Sequence, residues 1–181
     1  LLNGEPHLFT LPLQGASQNK LICEIELQSG TVWKEKLLRK IQHAYNKAPC
    51  YSEVRALIEN IIEYPAIRLD KILLHSLRSI VDYLELNTKI VESSRAYKNA
   101  ELSSQDRIVD ICRQEMASHY INAIGGRELY GPEQFTSAGI DLKFIQPRAL
   151  TYYQITEKHI PCLSIMDVMM FNTKKKIQGM L

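Results

Sequence analysis

HYINAIGGRELY, residues 119–130, packs a strand, a turn and the approach to the next element into one short run. His119-Tyr120-Ile121-Asn122 has the aromatic and β-branched content of a short strand. Gly125-Gly126 behind it reads as a turn, because paired glycines reach positive φ and allow a close backbone approach. Downstream, Gly131-Pro132 opens a short helix through Ser137, and Gly139 stops it. Ile140 to Ile145 is then a strand ended by Pro147. Upstream, Ser103 and Asp106 are spaced as a capping box for a helix bearing Ile108, Ile111, Cys112 and Met116. Before that helix, Lys89-Ile90-Val91-Glu92 reads as a strand ending in Ser93-Ser94-Arg95. Strand, helix, strand, helix, strand over residues 87–148 predicts parallel strands joined by right-handed crossovers. The expected fold class is α/β, a Rossmann-like, mainly parallel sheet.

The flanks read differently. Residues 1–30 suggest a strand pair, His7 to Leu13 and Leu21 to Leu27, around the turn-rich Gln14 to Asn19. Residues 31–86 form a helical insertion. Thr31 caps a first helix with Trp33, Leu37, Ile41 and Tyr45 on one face and Lys34, Lys36, Arg39 and Lys40 on the other. Ser52 caps a second helix carrying Val54, Leu57, Ile58, Ile61 and Ile62. A third runs from Leu69 to Leu84 on the stripe Leu69, Leu73, Leu77, Ile80, Leu84. Near the end, Ser164 and Asp167 are placed to cap a last helix, and residues 173–181 form a basic tail around Lys174-Lys175-Lys176. The whole, 1–181, is expected to be a single domain, with its α/β part over residues 87–172.

Composition sets outer limits. The chain has 181 residues, 23% of them charged, and a net charge of +2, too small for bulk nucleic-acid binding. Four cysteines, at 23, 50, 112 and 162, form no C-x-x-C pair, so a reduced, cytoplasmic chain is the simplest expectation. No stretch is apolar enough to span a membrane.

No Walker A loop, G-x-G-x-x-G, H-E-x-x-H, G-x-S-x-G or D-x-D occurs, and no cofactor or metal site is expected. The site argument is topological: ligands of open parallel sheets bind beyond the carboxyl ends of the strands. Ser93, Ser94 and Arg95 follow one strand. Asn122, Gly125, Gly126 and Arg127 follow the next, and Gln146 and Arg148 the third. Hydroxyls, an amide, backbone N–H groups and guanidiniums suit a polyhydroxylated or phosphorylated ligand. The plainer readings stand beside this one: the serines make a turn and the glycines only tighten one. His119 has the right intrinsic pKa for a general base.

The ordered pieces LLNGEPHLFTLPL, Trp33 with IQHAYNKAPCYSE, VESS, HYINAIGGRELY, Phe135 with GIDLKFI, and LSIMDVMMFN resemble the WbqC-like family of bacterial surface-polysaccharide clusters. The resemblance runs from about Leu2 to Asn172. It marks Tyr120, Asn122, Gly125, Gly126 and Tyr130 as the glycine-containing motif. It marks Ser93 and Ser94 as the serine pair, and Ser164 and Asp167 as a late Ser-x-x-Asp. The family's Gln-Pro-aromatic-Pro opening is missing, so the chain is expected to begin partway through the pattern, at the expense of a first strand and of any catalytic groups there.

The resemblance implies a transferase in O-antigen or related polysaccharide biosynthesis, with transfer of glycine to an amino sugar as the specific expectation. Such chemistry asks the protein to position an amine and stabilise an acyl oxyanion, without a metal or a covalent residue. Two alternatives stay open. One is a nucleotide-sugar-binding or nucleotidyl or glycosyl transferase with Arg95, Arg127 and Arg148 on phosphates. The other is a non-enzymatic scaffold whose basic surfaces touch anionic lipid peripherally.

Overall fold

In the computed structural model, which describes every residue except 149 and 157, the recurrence Trp33, Leu37, Ile41, Tyr45 lies on helix α1 (Val32–Tyr45). Leu37, Ile41 and Tyr45 are its buried face, and the exposed Lys36, Arg39 and Lys40 its wet one. Helix α2 (Tyr51–Glu63) buries Val54, Ile58 and Ile62, again three or four residues apart. Helix α3 (Leu69–Tyr83) keeps only the C-terminal part of its expected stripe, with Ile80 on the core and Leu84, just past its end, 2% exposed. Ile72 is buried, whereas Leu73 and Leu77 are exposed.

These helices belong to one of two compact units, Leu1–Ile90 with Ala149–Leu181. Its core is completed by α6 (Ile165–Phe171), which contributes Met169, Met170 and Phe171. The Cys50 N–H donates to the Met170 carbonyl at 3.0 Å, which fixes α6 at the start of α2. The basic tail is not a free tail. Residues Lys174–Gln178 form helix α7, with Ile177 1% exposed, Lys174 over the Tyr83 ring and the Gln178 amide donating to the Leu84 carbonyl.

The expected strand pair shrinks to β1 (Leu13–Gln14) and β2 (Glu26–Leu27), paired antiparallel. Ile22–Glu24 is a 3-10 turn because the Glu24 carboxylate reaches back to accept the Leu21 N–H at 2.9 Å. The backbone beyond it turns to another partner: the Leu27 N–H donates to Ile67, and the Leu69 N–H to Ile25.

The second unit, Val91–Arg148, holds the βαβ element. Strand β3 (His119–Ala123), helix α5 (Pro132–Ser137) and strand β4 (Asp141–Ile145) give a parallel pair, in register from His119 opposite Asp141 to Ala123 opposite Ile145. Gly139, at φ +72, makes the left-handed stop between α5 and β4 that other residues adopt at a cost. Helix α4 (Ser104–Gln114) packs Val109 and Cys112 with Phe135 and Ile140. Ser103 does not cap it through its side chain, and Asp106 instead accepts from the Gln134 amide.

The architecture is therefore mixed α/β with two small sheets, one of them parallel. The third parallel strand expected at Lys89–Glu92 does not form; those residues lie outside any strand. Two adjacent apolar residues point to opposite sides of an extended chain and offer no continuous apolar face. The chain then turns at once: the Ser93 hydroxyl accepts the Arg95 N–H at 3.2 Å and a 3-10 turn follows over Ser94–Tyr97.

Candidate functional site

Strand β3 sorts the expected site residues by its pleat. Both β3 and β4 alternate exposed and half-buried, so Tyr120, Asn122, Leu142 and Phe144 share one face and His119, Ile121, Asp141 and Lys143 the other. On the inner face, the Asn122 amide donates to the Tyr120 hydroxyl at 3.1 Å, and Tyr120 donates to Tyr130 at 3.5 Å. The Asn122 carbonyl oxygen accepts the Ala123 N–H at 2.7 Å. The Tyr120 ring stacks on buried Phe135 with centroids 5.3 Å apart, and Tyr130 stands edge-on to both. Burial, with the Tyr130 contact second, pushes the Tyr120 phenol well above the usual tyrosine range, so it remains a proton donor.

The paired glycines differ from each other. They lie in a 3-10 helix, Ile124–Leu129, and neither has a positive φ. A Cβ on Gly126 would meet the Asn122 side-chain nitrogen at 3.1 Å and the Tyr130 ring at 3.5 Å; one on Gly125 would meet nothing within 4 Å. Close approach, not left-handed backbone, is thus what asks for glycine, and only at 126. Arg127 follows in the same turn and is exposed.

The serine pair has other partners. The Ser94 hydroxyl accepts from Arg107 at 3.1 Å; Arg107 also donates to Asn99, and Asn99 to Asp110 at 2.6 Å. Asn99 is 3% exposed, so this chain of contacts fixes the turn onto α4. Arg95 is exposed. Hence Tyr120, Asn122, Gly126 and Tyr130 come together, while Ser93 and Ser94 bond within their own turn and to α4. His119 sits across the pleat from Asn122, with Nδ1 2.8 Å from the Ser118 hydroxyl and Nε2 3.6 Å from Asp141, itself held by Lys143 at 2.9 Å. The Lys143 hydrogen bond, foremost, holds the Asp141 carboxyl below its ordinary range.

A second polar centre lies in the larger unit. Asp167, on α6, is 1% exposed. Its Oδ1 accepts the Tyr45 hydroxyl at 2.8 Å; its Oδ2 accepts Tyr152 at 2.7 Å and the Gln154 amide at 3.2 Å. Gln154 also holds both backbone groups of Ile160, donating to its carbonyl at 3.0 Å and accepting its N–H at 2.8 Å. His159 meets Tyr152 edge-on, and its buried ring nitrogens have no hydrogen-bond partner among the described residues. Ser164 does not cap α6 through its hydroxyl; its carbonyl accepts the Asp167 N–H. Burial, reinforced by Asp167, raises the Tyr45 and Tyr152 phenols far above their ordinary range. Two cavities border this centre, one of about 480 Å³ lined by His7, Tyr45, Cys162, Ser164 and Asp167, another of about 290 Å³ lined by Asn3, His43, Tyr45 and Thr156.

The model of the WbqC-like protein family matches residues 1–179, across both units. The chain belongs to the WbqC-like family. No curated protein and no solved structure matches it.

The two polar groups of this WbqC-like chain differ in how far their residue order exposes them. Asn122 is visible as a residue at a strand end, whereas Tyr120 and Tyr130 enter only through the motif that the family resemblance marks. Asp167 itself is marked by the resemblance, but its partners are not legible, since Tyr45 lies 122 residues away and Tyr152 sits in a segment without regular structure. The signal that points to such partners is an acid inside the apolar run LSIMDVMMF, where a carboxylate needs buried donors. Among the described residues, no three His, Cys, Asp or Glu side chains gather to hold a metal ion, and no helix is long and apolar enough to cross a membrane.

Proposed function

We propose that this WbqC-like protein is a cytoplasmic transferase that modifies a sugar during bacterial surface-polysaccharide (O-antigen) biosynthesis, by transfer of glycine to an amino sugar. Family membership supports the biosynthetic setting. The observation that carries the ligand class is a half-buried chain of one amide and two tyrosine hydroxyls, Asn122 to Tyr120 at 3.1 Å and Tyr120 to Tyr130 at 3.5 Å, closed by Gly126. Hydroxyls that both donate and accept, beside aromatic rings, match the alternating polar and C–H faces of a pyranose. In the transfer, the sugar amine bonds to the acyl carbon and loses a proton, and the donor's leaving group departs with the bonding pair. N–H groups at Gly125–Gly126, or the exposed Arg127, would stabilise the oxyanion. His119 faces away from this set and has no part in holding the sugar.

Titration of the protein with nucleotide-linked amino sugars, followed by thermal shift, tests the reading. A saturable rise in Tm is expected. Asn122→Ala should weaken binding about 5- to 150-fold, the equivalent of about 1–3 kcal/mol for a buried partner left unpaired, with the circular-dichroism spectrum unchanged. A protein that no such sugar stabilises, or an Asn122→Ala variant that binds as well as the parent, would sink it and leave the scaffold reading in its place.

A further inference from the structure

Strands β1 and β2 pair Leu13 with Leu27 and Gln14 with Glu26. Residues opposite each other in a ladder share one face, so Gln14 and Glu26 stand together on the face away from buried Leu27. Both line a groove of about 440 Å³, whose other walls are the start of α1 and residues 65–67. Trp33, the chain's single tryptophan, lines the same groove and is half-buried. Its indole N–H donates to the Gln28 carbonyl at 3.1 Å, which fixes the ring and uses its one polar group. What the indole offers the groove is therefore apolar ring surface, to which the exposed Ile67 adds.

Polar groups surround that surface. The Lys34 ammonium lies 5.7 Å from the Trp33 ring centroid and donates to the Tyr64 carbonyl at 3.4 Å, with Glu63 3.9 Å away. An ammonium has three N–H bonds, so Lys34 can still donate into the groove. Among the described residues, the side chains of Gln14, Glu26 and Gln28 make no hydrogen bond to protein. Glu26 disfavours an anion here, and Lys34, already seated against the indole, disfavours a cation. A neutral ligand with an apolar face and hydroxyls along its edge suits every group. We propose that this groove is a saccharide subsite that binds a neutral pyranose, with Trp33 against its C–H face and Glu26 accepting its hydroxyls. The inference stands on the larger unit alone and does not require the sugar reading of Tyr120, Asn122 and Tyr130.

The single indole supplies the test. Methyl glucopyranoside, methyl galactopyranoside and methyl mannopyranoside are titrated into the protein while Trp33 fluorescence is followed. Glucitol, which carries the hydroxyls without the ring face, is the control. At least one pyranoside should change the emission saturably, and glucitol should not. Glu26→Gln, which removes the charge at constant size, should weaken that binding at least about fivefold. Trp33→Leu should abolish it by calorimetry. Trp33 also packs on the core, so if this variant fails to fold, the exposed Glu26 decides through Glu26→Gln. Asn122→Ala, a change in the other unit, should leave the Trp33 response unaltered. No saturable response to any of the three pyranosides, an equal response to glucitol, unchanged affinity in Glu26→Gln, or a response lost in Asn122→Ala would each overturn the proposal. Nucleotide-sugar binding that survives such a failure leaves the other reading standing.

Discussion

Asp167 and Gly126 each meet named partners whose response to a substitution can be worked out. Asp167→Ala leaves the Tyr45 and Tyr152 hydroxyls without their acceptor and removes one of the two acceptors of the Gln154 amide. A loss of about 2–4 kcal/mol is expected in urea unfolding, mainly as the cost of unpaired buried donors. Gly126→Ala forces the Asn122 side chain to move, yet that amide is held at both ends by Tyr120 and Ala123. A cost of about 1–3 kcal/mol follows from overpacking. Gly125→Ala meets open space at a backbone any residue adopts, so it should be neutral or stabilising by up to about 1 kcal/mol, because alanine narrows the unfolded ensemble. Equal effects at the two positions would refute this account. The tyrosines give a pH prediction. The phenols of Tyr45, Tyr120 and Tyr152 are raised when folded, and Tyr83 is pushed up to about 12, chiefly by burial. Above pH ~10 the unfolded chain gives up these protons and the folded one keeps them. Their contribution to stability is therefore full below pH ~10 and is lost as pH rises toward 12 and beyond. Phenolate absorbance should lag and then rise together with unfolding. Smooth ionisation of every tyrosine before the fold is lost would contradict the burial of these four.

At the scale of elements, α7 decides whether the end of the chain is structure or tail. Ile177 is 1% exposed inside the helical core, so Ile177→Ala should cost about 2–4 kcal/mol by denaturant titration, whereas an unpacked tail would register nothing. This helix is not legible in the sequence, because three lysines dominate the run and a single apolar residue does the packing. Helices α1 and α2 and the β3–α5–β4 unit are legible, because their periodicities repeat over several turns or over a full strand. At Lys89–Glu92 two apolar residues suggest a strand, but the serine turn prevails. The same limit applies to the site. Asn122 is legible at its strand end and Tyr120 and Tyr130 through the family motif, but that His119 faces away follows from the strict alternation of β3. Ser94 looked like a strand-end ligand group, and its hydroxyl is already engaged by Arg107.

For the whole molecule, two compact units with separate cores predict separable unfolding. The smaller has about 60 residues, a length at which a single core is only marginally stable. Phe135 is fully buried in it, so Phe135→Ala should remove about 3–5 kcal/mol from this unit alone. Calorimetry of that variant should show one transition lowered and the other in place. A single transition displaced as a whole would mean that the two units melt as one.

The larger unit is discontinuous in the chain, and this orders events during synthesis. Its helices α1 to α3 leave the ribosome long before Met169, Met170, Phe171 and Ile177, which complete their core. At about 5–20 residues per second, the apolar faces of α1 and α2 wait roughly 5–20 s for α6. The smaller unit is contiguous and can close during that interval. The nascent chain is thus most vulnerable to chaperone capture or aggregation not at its start or its end but while residues 91–164 are being made, with a finished βαβ unit attached to three unsealed helices.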